Sequence, residues 1–313
     1  MPEGRYSAII AGMILVTGST GFVGKKLIDK LEANSLEYRL LLSPGFDQQN
    51  LPRGKDYDIV LSSIGDVGSL RSALNKVDVV IHLAGGEAFG SKADLARLEV
   101  RDLEVFTNIA RNAGVGRFFY ISHLGADRNS AYGLLKAKGR GEEVVRKSGI
   151  PYSIFRTSRL YGEGDRFTES IARLLRKFLG FFFLPGEGKV LLQPLWVEDF
   201  VTALIWSLDR PDLVDQTIEI GGPEQLSYRE TVQQIAEAMD KKVKFLNITP
   251  VQYSYFTQLV EYSMSLPPIN VFWMDYLAEN RTCALDSMSR IFEINPARMK
   301  NKLSYLRGTT KHK

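Results

Sequence analysis

Short β-branched or leucine-rich runs alternate with longer amphipathic stretches along the first half of the chain. Apolar positions at 14–16 read as a strand, and 24–34 repeats its apolar residues at helical spacing. Strands follow at 38–42 and 58–61, then a helix over 67–75 and a strand at 79–83, entered through Asp78. A long helix over 93–113 leads to a strand at 118–122. Such alternation predicts βαβ units and a parallel sheet covered on both faces. The consecutive Val79-Val80-Ile81 suits a strand buried on both sides. Beyond Gly149 the pattern loosens into a strand at 150–155, a helix over 167–179, a strand at 190–196 and a helix over 197–208. A strand at 217–220 closes on Gly221-Gly222-Pro223, and a helix over 227–239 starts with Ser227 as cap and Glu230 three residues on. Pro267-Pro268 breaks the chain again, and the tail from Asn295 reads as a solvated basic end. There is no internal repeat and no low-complexity segment.

Composition narrows the classes. A chain of 313 residues with 44% hydrophobic and 24% charged residues folds, as one large domain or two smaller ones. Forty Lys and Arg against thirty-six Asp and Glu leave +4, too little to indicate a nucleic-acid binder. The single cysteine, Cys283, cannot close an intramolecular disulfide or anchor a cysteine metal site, and three histidines, one of them His312 in the tail, leave no metal expected. This composition suits a reducing cytoplasm. No apolar run reaches the roughly 20 residues of a membrane span. Residues 1–12 lack a cleavage site before the first strand and read as an amino-terminal extension.

The chemistry starts at Thr17-Gly18-Ser19-Thr20-Gly21-Phe22-Val23-Gly24, between the first strand and the first helix. In that context Gly18 permits a tight turn, Gly21 lets backbone N–H groups approach a pyrophosphate, and Gly24 lets helix and strand pack closely. The helix N-terminus adds partial positive charge. The second strand ends Leu41-Leu42-Ser43-Pro44 with no carboxylate at its tip, and Asp47 lies beyond a Pro-Gly turn. Lys25, Lys26 and Arg39 are nearby cations, so the pattern favours NADP(H) over NAD(H).

Further motifs carry a resemblance. They are Ile81-His82-Leu83-Ala84-Gly85, Tyr132-Gly133-Leu134-Leu135-Lys136, Arg156-Thr157-Ser158-Arg159-Leu160-Tyr161-Gly162, and Gln-Pro-Leu-Trp-Val-Glu-Asp at 193–199. Together with the glycine turn they make residues 13 to about 306 similar to the extended or atypical short-chain dehydrogenases/reductases, a group that includes epimerases and dehydratases. Ile121-Ser122-His123-Leu124-Gly125-Ala126-Asp127, Lys136-Ala137 and Gly141-Glu142 most resemble the NAD(P)H-binding accessory subunits of respiratory complex I and their bacterial relatives.

The resemblance implies an α/β fold. A doubly wound parallel-sheet Rossmann domain spans 13–160, completed by about 190–222, and a small, mostly helical substrate region at 161–189 and 223–313 covers the cleft. It implies that Thr20, Phe22 and Val23 line the phosphate turn, and that Gly65-Asp66-Val67 lies beside the adenine, where Asp66 would accept from the amino group, with a helix cap as its alternative. It places Leu83, Ala84 and Gly85 beside the nicotinamide ribose, and Ser43 and Thr157 in the same cofactor set. Tyr132 and Lys136, four apart and so on one helix face, match the family's acid/base tyrosine and its lysine partner. A phenol titrating near 10 needs such a cation to work near neutral pH.

The end of the fifth strand, where reactive relatives hold the substrate oxygen, reads Ser122-His123. Neighbouring strand residues face opposite ways, so only one of the two meets the cleft, and the alignment favours His123. Glu99 stands where many relatives have Asn, which weakens a conventional proton relay. Two readings stay open: an oxidoreductase or epimerase acting on a small or nucleotide-linked substrate, and a non-catalytic dinucleotide-binding component of a membrane-associated assembly. Substrate choice falls to Tyr161, Arg166, Phe167, 181–184 and Gln193. The basic, aromatic stretch 171–184 reads as core or cleft lining, with a peripheral membrane or protein contact as its alternative.

Overall fold

The computed structural model describes residues 12–44, 57–263 and 269–307; residues 1–11 of the extension, Asp47, Pro267-Pro268 and His312 lie outside the described residues. The elements run β1 (Met13–Thr17), α1 (Phe22–Ala33), β2 (Tyr38–Leu42), β3 (Asp58–Leu61), α2 (Val67–Ala73), β4 (Val77–His82), α3 (Asp102–Asn112), β5 (Arg117–His123), α4 (Gly133–Lys147) and β6 (Tyr152–Thr157). They continue as β7 (Leu160–Tyr161), α5 (Thr168–Lys177), β8 (Phe181–Pro185), β9 (Leu191–Leu192), β10 (Leu195–Trp196), α6 (Val197–Ser207), β11 (Gln216–Ile220), β12 (Leu226–Ser227), α7 (Tyr228–Ala238), β13 (Lys244–Ile248), α8 (Pro250–Ser263), α9 (Phe272–Leu277) and α10 (Ser287–Phe292).

Seven strands form one sheet in the order β11-β6-β5-β4-β1-β2-β3, parallel at every pairing. This is a doubly wound Rossmann sheet. Its order reverses between β1 and β4, so the binding crevice opens at the carboxyl ends of those two strands. Alternation along each strand fills both faces. Ile14 and Val16 of β1 and Phe119 of β5 pack with Leu27, Ile28 and Leu31 of α1 and Phe200 and Leu204 of α6. Leu15 of β1 and Phe118 and Tyr120 of β5 point the other way, against Leu70 of α2, Phe106 of α3 and Val145 of α4. Each fully buried side chain of this kind contributes roughly 1.5–3 kcal/mol, so the two apolar layers dominate the stability of the sheet.

A separate apolar cluster joins Ile171 and Leu175 of α5, Phe182 and Leu184 of β8, Tyr228 and Ile235 of α7, Tyr253 of α8 and Trp273 of α9. Most of the aromatic stretch 171–184 therefore lies inside or against this core, with Phe178 and Phe183 packed on Phe256, while Leu179 and Phe181 are exposed. Two expected elements differ. The helix expected over 93–113 runs over residues 95–112, but ahead of α3 it contains a π-helical turn at Arg97–Arg101 that turns Glu99 inward. The strand expected at 190–196 splits into β9 and β10, because Pro194 has no N–H for a ladder and the Gln193 side chain instead bonds Gly222 O at 2.8 Å and Cys283 N at 2.8 Å.

Candidate functional site

The glycine turn closes directly over the end of β4. Gly18 has φ of 70°, which glycine adopts without strain, and a Cβ there would lie 2.8 Å from Ala84 N. A Cβ on Gly24 would press 2.5 Å from Ser19 Cα, so the start of α1 lies flush against the turn. Gly21 is exposed, and its nearest neighbour to an added Cβ is Gly18 O at 3.2 Å. Helix α1 begins with no side-chain cap and no acidic residue in its first turn, leaving its N–H groups to an anion. Ser19 Oγ is buried without a hydrogen-bond partner. These features fit a dinucleotide pyrophosphate. Thr17 Oγ1 meets His82 Nδ1 at 2.9 Å beneath the turn. Burial and then the charge of Lys138 push His82 down to about 3, so the ring is neutral.

Across the crevice stand the carboxyl ends of β5 and β6 and the start of α4. Tyr132 immediately precedes α4, and Lys136 follows one turn later; both are half-buried. Among the described residues neither Tyr132 Oη nor Lys136 Nζ makes a side-chain hydrogen bond or ion pair, while the Arg281 guanidinium lies 5.9 Å from the Tyr132 ring. His123, Thr157, Ser158, Arg159, Trp273, Tyr276 and Arg281 line a cavity whose walls include neither Tyr132 nor Lys136, with Arg281 the link between it and Tyr132. His123 Nε2 meets Tyr276 Oη at 3.0 Å and Glu87 Oε2 at 3.4 Å, and Glu87 Oε1 accepts from Arg159 at 2.6 Å. Burial works against the charge on Glu87, but Arg159 and the bond from His123 hold its carboxyl well below the usual range. Burial, and then Glu87, push the Tyr276 phenol well above its ordinary value.

A second polar group lies under the sheet. Glu99 and Lys138 are both buried and pair at 3.0 Å. Glu99 also accepts from Gly86 N at 2.7 Å and from Tyr120 Oη at 3.2 Å, and Lys138 donates to Ile121 O at 3.3 Å. Burial opposes ionisation of Glu99, yet Lys138 and the Gly86 N–H keep its carboxyl below the usual range. The Gly86 bond ties the segment after β4 to this pair. Four residues on from Lys138, the buried Glu142 accepts from Ser122 Oγ at 2.7 Å and from Arg146 and Arg156 at 2.8 Å.

A family model described as NAD(P)H-binding matches residues 18–174. The chain belongs to this family. It is 29% identical over 236 residues to the mouse mitochondrial NADH dehydrogenase [ubiquinone] 1 alpha subcomplex subunit 9, covering 71% of this chain and 59% of that one. It is also 23% identical to the NAD(P)H azoreductase of Xenophilus azovorans, covering 76% of this chain and 77% of that one. The chain thus spans about three fifths of the length of the complex I subunits it matches. Among solved structures, an NADPH-dependent quinone oxidoreductase from Escherichia coli complexed with NADPH superposes with TM-score 0.72 at 19% identity, covering 94% of this chain and 99% of that one. A nucleoside-diphosphate-sugar epimerase from Staphylococcus aureus gives TM-score 0.73 at 15% identity, with the same coverage. At these identities the structural likenesses establish the fold.

Within this NAD(P)H-binding chain the expected site residues separate into groups. Gly18, Thr20, Gly21, Phe22, Val23 and Gly24 form the turn, Leu83, Ala84 and Gly85 run past it, and Thr17 O accepts from Leu83 N at 3.2 Å. Ser43 is exposed at the end of β2. Asp66 caps α2, accepting from Gly68 N at 3.0 Å and Ser69 Oγ at 2.6 Å, with Val67 exposed beside it. Thr157 and His123 line the cavity, whereas Ser122 shares the α4 face of β5 with Tyr120 and is committed to Glu142, so the structure does not bring it to the cleft. Arg39 is likewise removed from a 2′-phosphate: it sits at the start of β2, bonded to Asp58 at 2.8 Å and to Ala73 O and Asn75 O at 2.9 Å. Lys26 pairs with Glu198 at 3.4 Å, and Lys25 is exposed.

Glu87, Arg159, Tyr276, Arg281 and Lys138 were missed by sequence reasoning. Lys138 leaves a local signal, a charge among Leu134, Leu135, Ala137, Gly141 and Val145 on the buried face of α4. Glu87, Arg159 and Tyr276 meet only through long-range folding and leave none.

Proposed function

We propose that this protein is an NAD(P)H-dependent oxidoreductase, with NADPH preferred, acting on a small carbonyl substrate in the cleft beside Tyr132. The observation that carries this reading is the half-buried pair Tyr132 and Lys136 at the start of α4, without side-chain partners among the described residues and joined through Arg281 to the cavity that His123 lines. Gly18, Gly21 and the amino end of α1 hold the pyrophosphate, and Leu83 to Gly85 pass the nicotinamide ribose. The bound dinucleotide supplies the hydride. Tyr132 Oη donates the proton that the developing alkoxide requires, and Lys136 Nζ lowers the cost of the resulting phenolate. His123 Nε2, already in a hydrogen bond to Tyr276, orients the substrate oxygen. An uncharged tip on β2 and the exposed Lys25 support NADPH, as does the NADPH complex of the structurally similar quinone oxidoreductase. The composition supports a cytoplasmic address.

The second reading, a non-catalytic dinucleotide-binding component of a membrane-associated assembly, is favoured by one observation. Glu87, Arg159, His123 and Tyr276 fill the cleft with mutual bonds, leaving about 20 Å³ of free volume. Likeness to a complex I subunit agrees with it. Titrating NADPH and NADH by nicotinamide fluorescence, then assaying carbonyl reduction with Tyr132→Phe, separates the readings. The enzyme reading expects tighter NADPH binding and loss of turnover with binding kept. Turnover unaffected by Tyr132→Phe favours the second reading, and absence of binding to either nucleotide overturns both.

A further inference from the structure

Arg159 is held in an aromatic cage. Its guanidinium carbon lies 4.3 Å from the centre of the Tyr276 ring, 5.6 Å from Phe167 and 5.9 Å from Trp273. A cation in such surroundings is stripped of water and needs an anion. The anion present is the Glu87 carboxylate at 2.6 Å, brought in by a segment that follows Gly86 and turns at Gly90, where φ is 55°. That segment is fastened elsewhere by Asn270 Nδ2 to Glu87 O at 3.1 Å and by Ser91 N to Glu261 at 2.7 Å. Glu87 is therefore a side chain reaching in from the cleft's border rather than a wall of the cavity, and it is absent from the cavity lining.

The remaining walls match a ligand of mixed character. Leu192, Trp273 and Leu277 are apolar, while Ser158 Oγ and Arg281 Nε, both on lining residues at least nine-tenths buried, have no hydrogen-bond partner among the described residues. The free volume of about 20 Å³ is room for roughly one water, so any substrate must displace a side chain. Glu87 contributes nothing to the cavity wall but is paired with Arg159, which does, and withdrawal of its carboxylate leaves Arg159 free for another anion.

We infer that the cleft takes a substrate bearing a carboxylate beside its carbonyl and an apolar body, and that this carboxylate replaces Glu87 on Arg159. Glu87 is then an internal competitor that keeps the cleft closed to neutral carbonyls, which cannot supply the missing charge. The inference rests on the reading of this cleft as a substrate site, but its test needs no cofactor and no turnover.

The probes are phenylglyoxylate and its methyl ester, which share the ketone and ring and differ in charge. Their binding is followed by quenching of Trp273 fluorescence, with Trp273→Phe giving the background from the other tryptophans. The acid is expected to bind at least about tenfold more tightly than the ester, and Glu87→Gln, which keeps size and weakens the hold on Arg159, to tighten the acid by about tenfold. Arg159→Gln is expected to weaken the acid by about tenfold or more without affecting the ester. Thermal unfolding and NADPH quenching of both variants verify that the fold is kept, and Glu87→Ala serves as a second variant that removes the competitor. Equal affinities of acid and ester for the unaltered protein, or no acid binding even to Glu87→Gln, overturn the inference. Absence of NADPH binding would instead overturn the oxidoreductase reading and leave the acid-to-ester contrast standing.

Discussion

The cleft and the layer beneath the sheet use the same three side-chain types. His123 lines the cavity, Tyr132 and Lys136 stand half-buried at the start of α4, and Tyr120, Lys138 and His82 are buried, all within the same βαβ framework. The lower set is saturated: Lys138 on Glu99 and Ile121 O, Tyr120 on Glu99, His82 on Thr17. In the upper set Tyr132 Oη and Lys136 Nζ have no partner among the described residues. A buried polar group must be paired because its desolvation is otherwise uncompensated, whereas a group kept unpaired at a cleft edge retains capacity for a substrate. Residue type alone does not separate scaffold from chemistry; satisfaction does.

The tyrosines test this contrast most strongly. Tyr132→Phe is expected to lower turnover by about 10²–10⁴-fold with NADPH binding kept, while Tyr120→Phe costs about 1 kcal/mol of stability and leaves turnover alone. Equal kinetic effects, measured at saturating NADPH, would erase the distinction. The lysines come next. Lys138→Met strands the buried Glu99 carboxylate and is expected to cost about 3–5 kcal/mol in urea unfolding, whereas Lys136→Met stays within about 0.5 kcal/mol and loses activity instead.

The histidines should differ in their response to pH. His82 titrates near 3 in the fold against 6.5 ordinarily, so the unfolded chain binds a proton that the native one refuses. Its stabilisation is complete above about pH 6.5 and declines as pH falls towards 3, by about 1.4 kcal/mol per unit in between. Urea unfolding at pH 7, 6 and 5 measures the slope, and His82→Asn, which can still meet Thr17, should flatten it. The smallest effect separates the phosphate-side cations. Lys25→Gln is expected to weaken NADPH by about threefold to fivefold relative to NADH, and Arg39→Gln to leave that ratio unchanged, by fluorescence titration.

The fold was largely legible because its signals are local. Runs such as Val79-Val80-Ile81, the glycines around Gly21 and the Ser227/Glu230 capping box each depend on residues near in sequence, and each appears as an element or turn. Strand alternation likewise required that Ser122 and His123 part company, and β5 sends them to opposite faces. The unforeseen feature of the helix expected over 93–113 has a tertiary cause: the chain winds into a π-helical turn where Glu99 reaches Lys138 and Gly86 N. Nothing near Glu99 in sequence encodes those partners.

By itself, therefore, the sequence determined a parallel α/β sheet, a glycine turn for a dinucleotide and the spacing that sets Tyr132 at the cap of α4 and Lys136 in its first turn. All of these follow from periodicity and backbone sterics. Only the tertiary structure decided that Arg39 and Ser122 serve the scaffold and that Glu87 closes on Arg159. Those outcomes depend on which polar group finds a partner 19 to 72 residues away, as Arg39 does in Asp58, Ser122 in Glu142 and Glu87 in Arg159, and long-range pairing has no period to read.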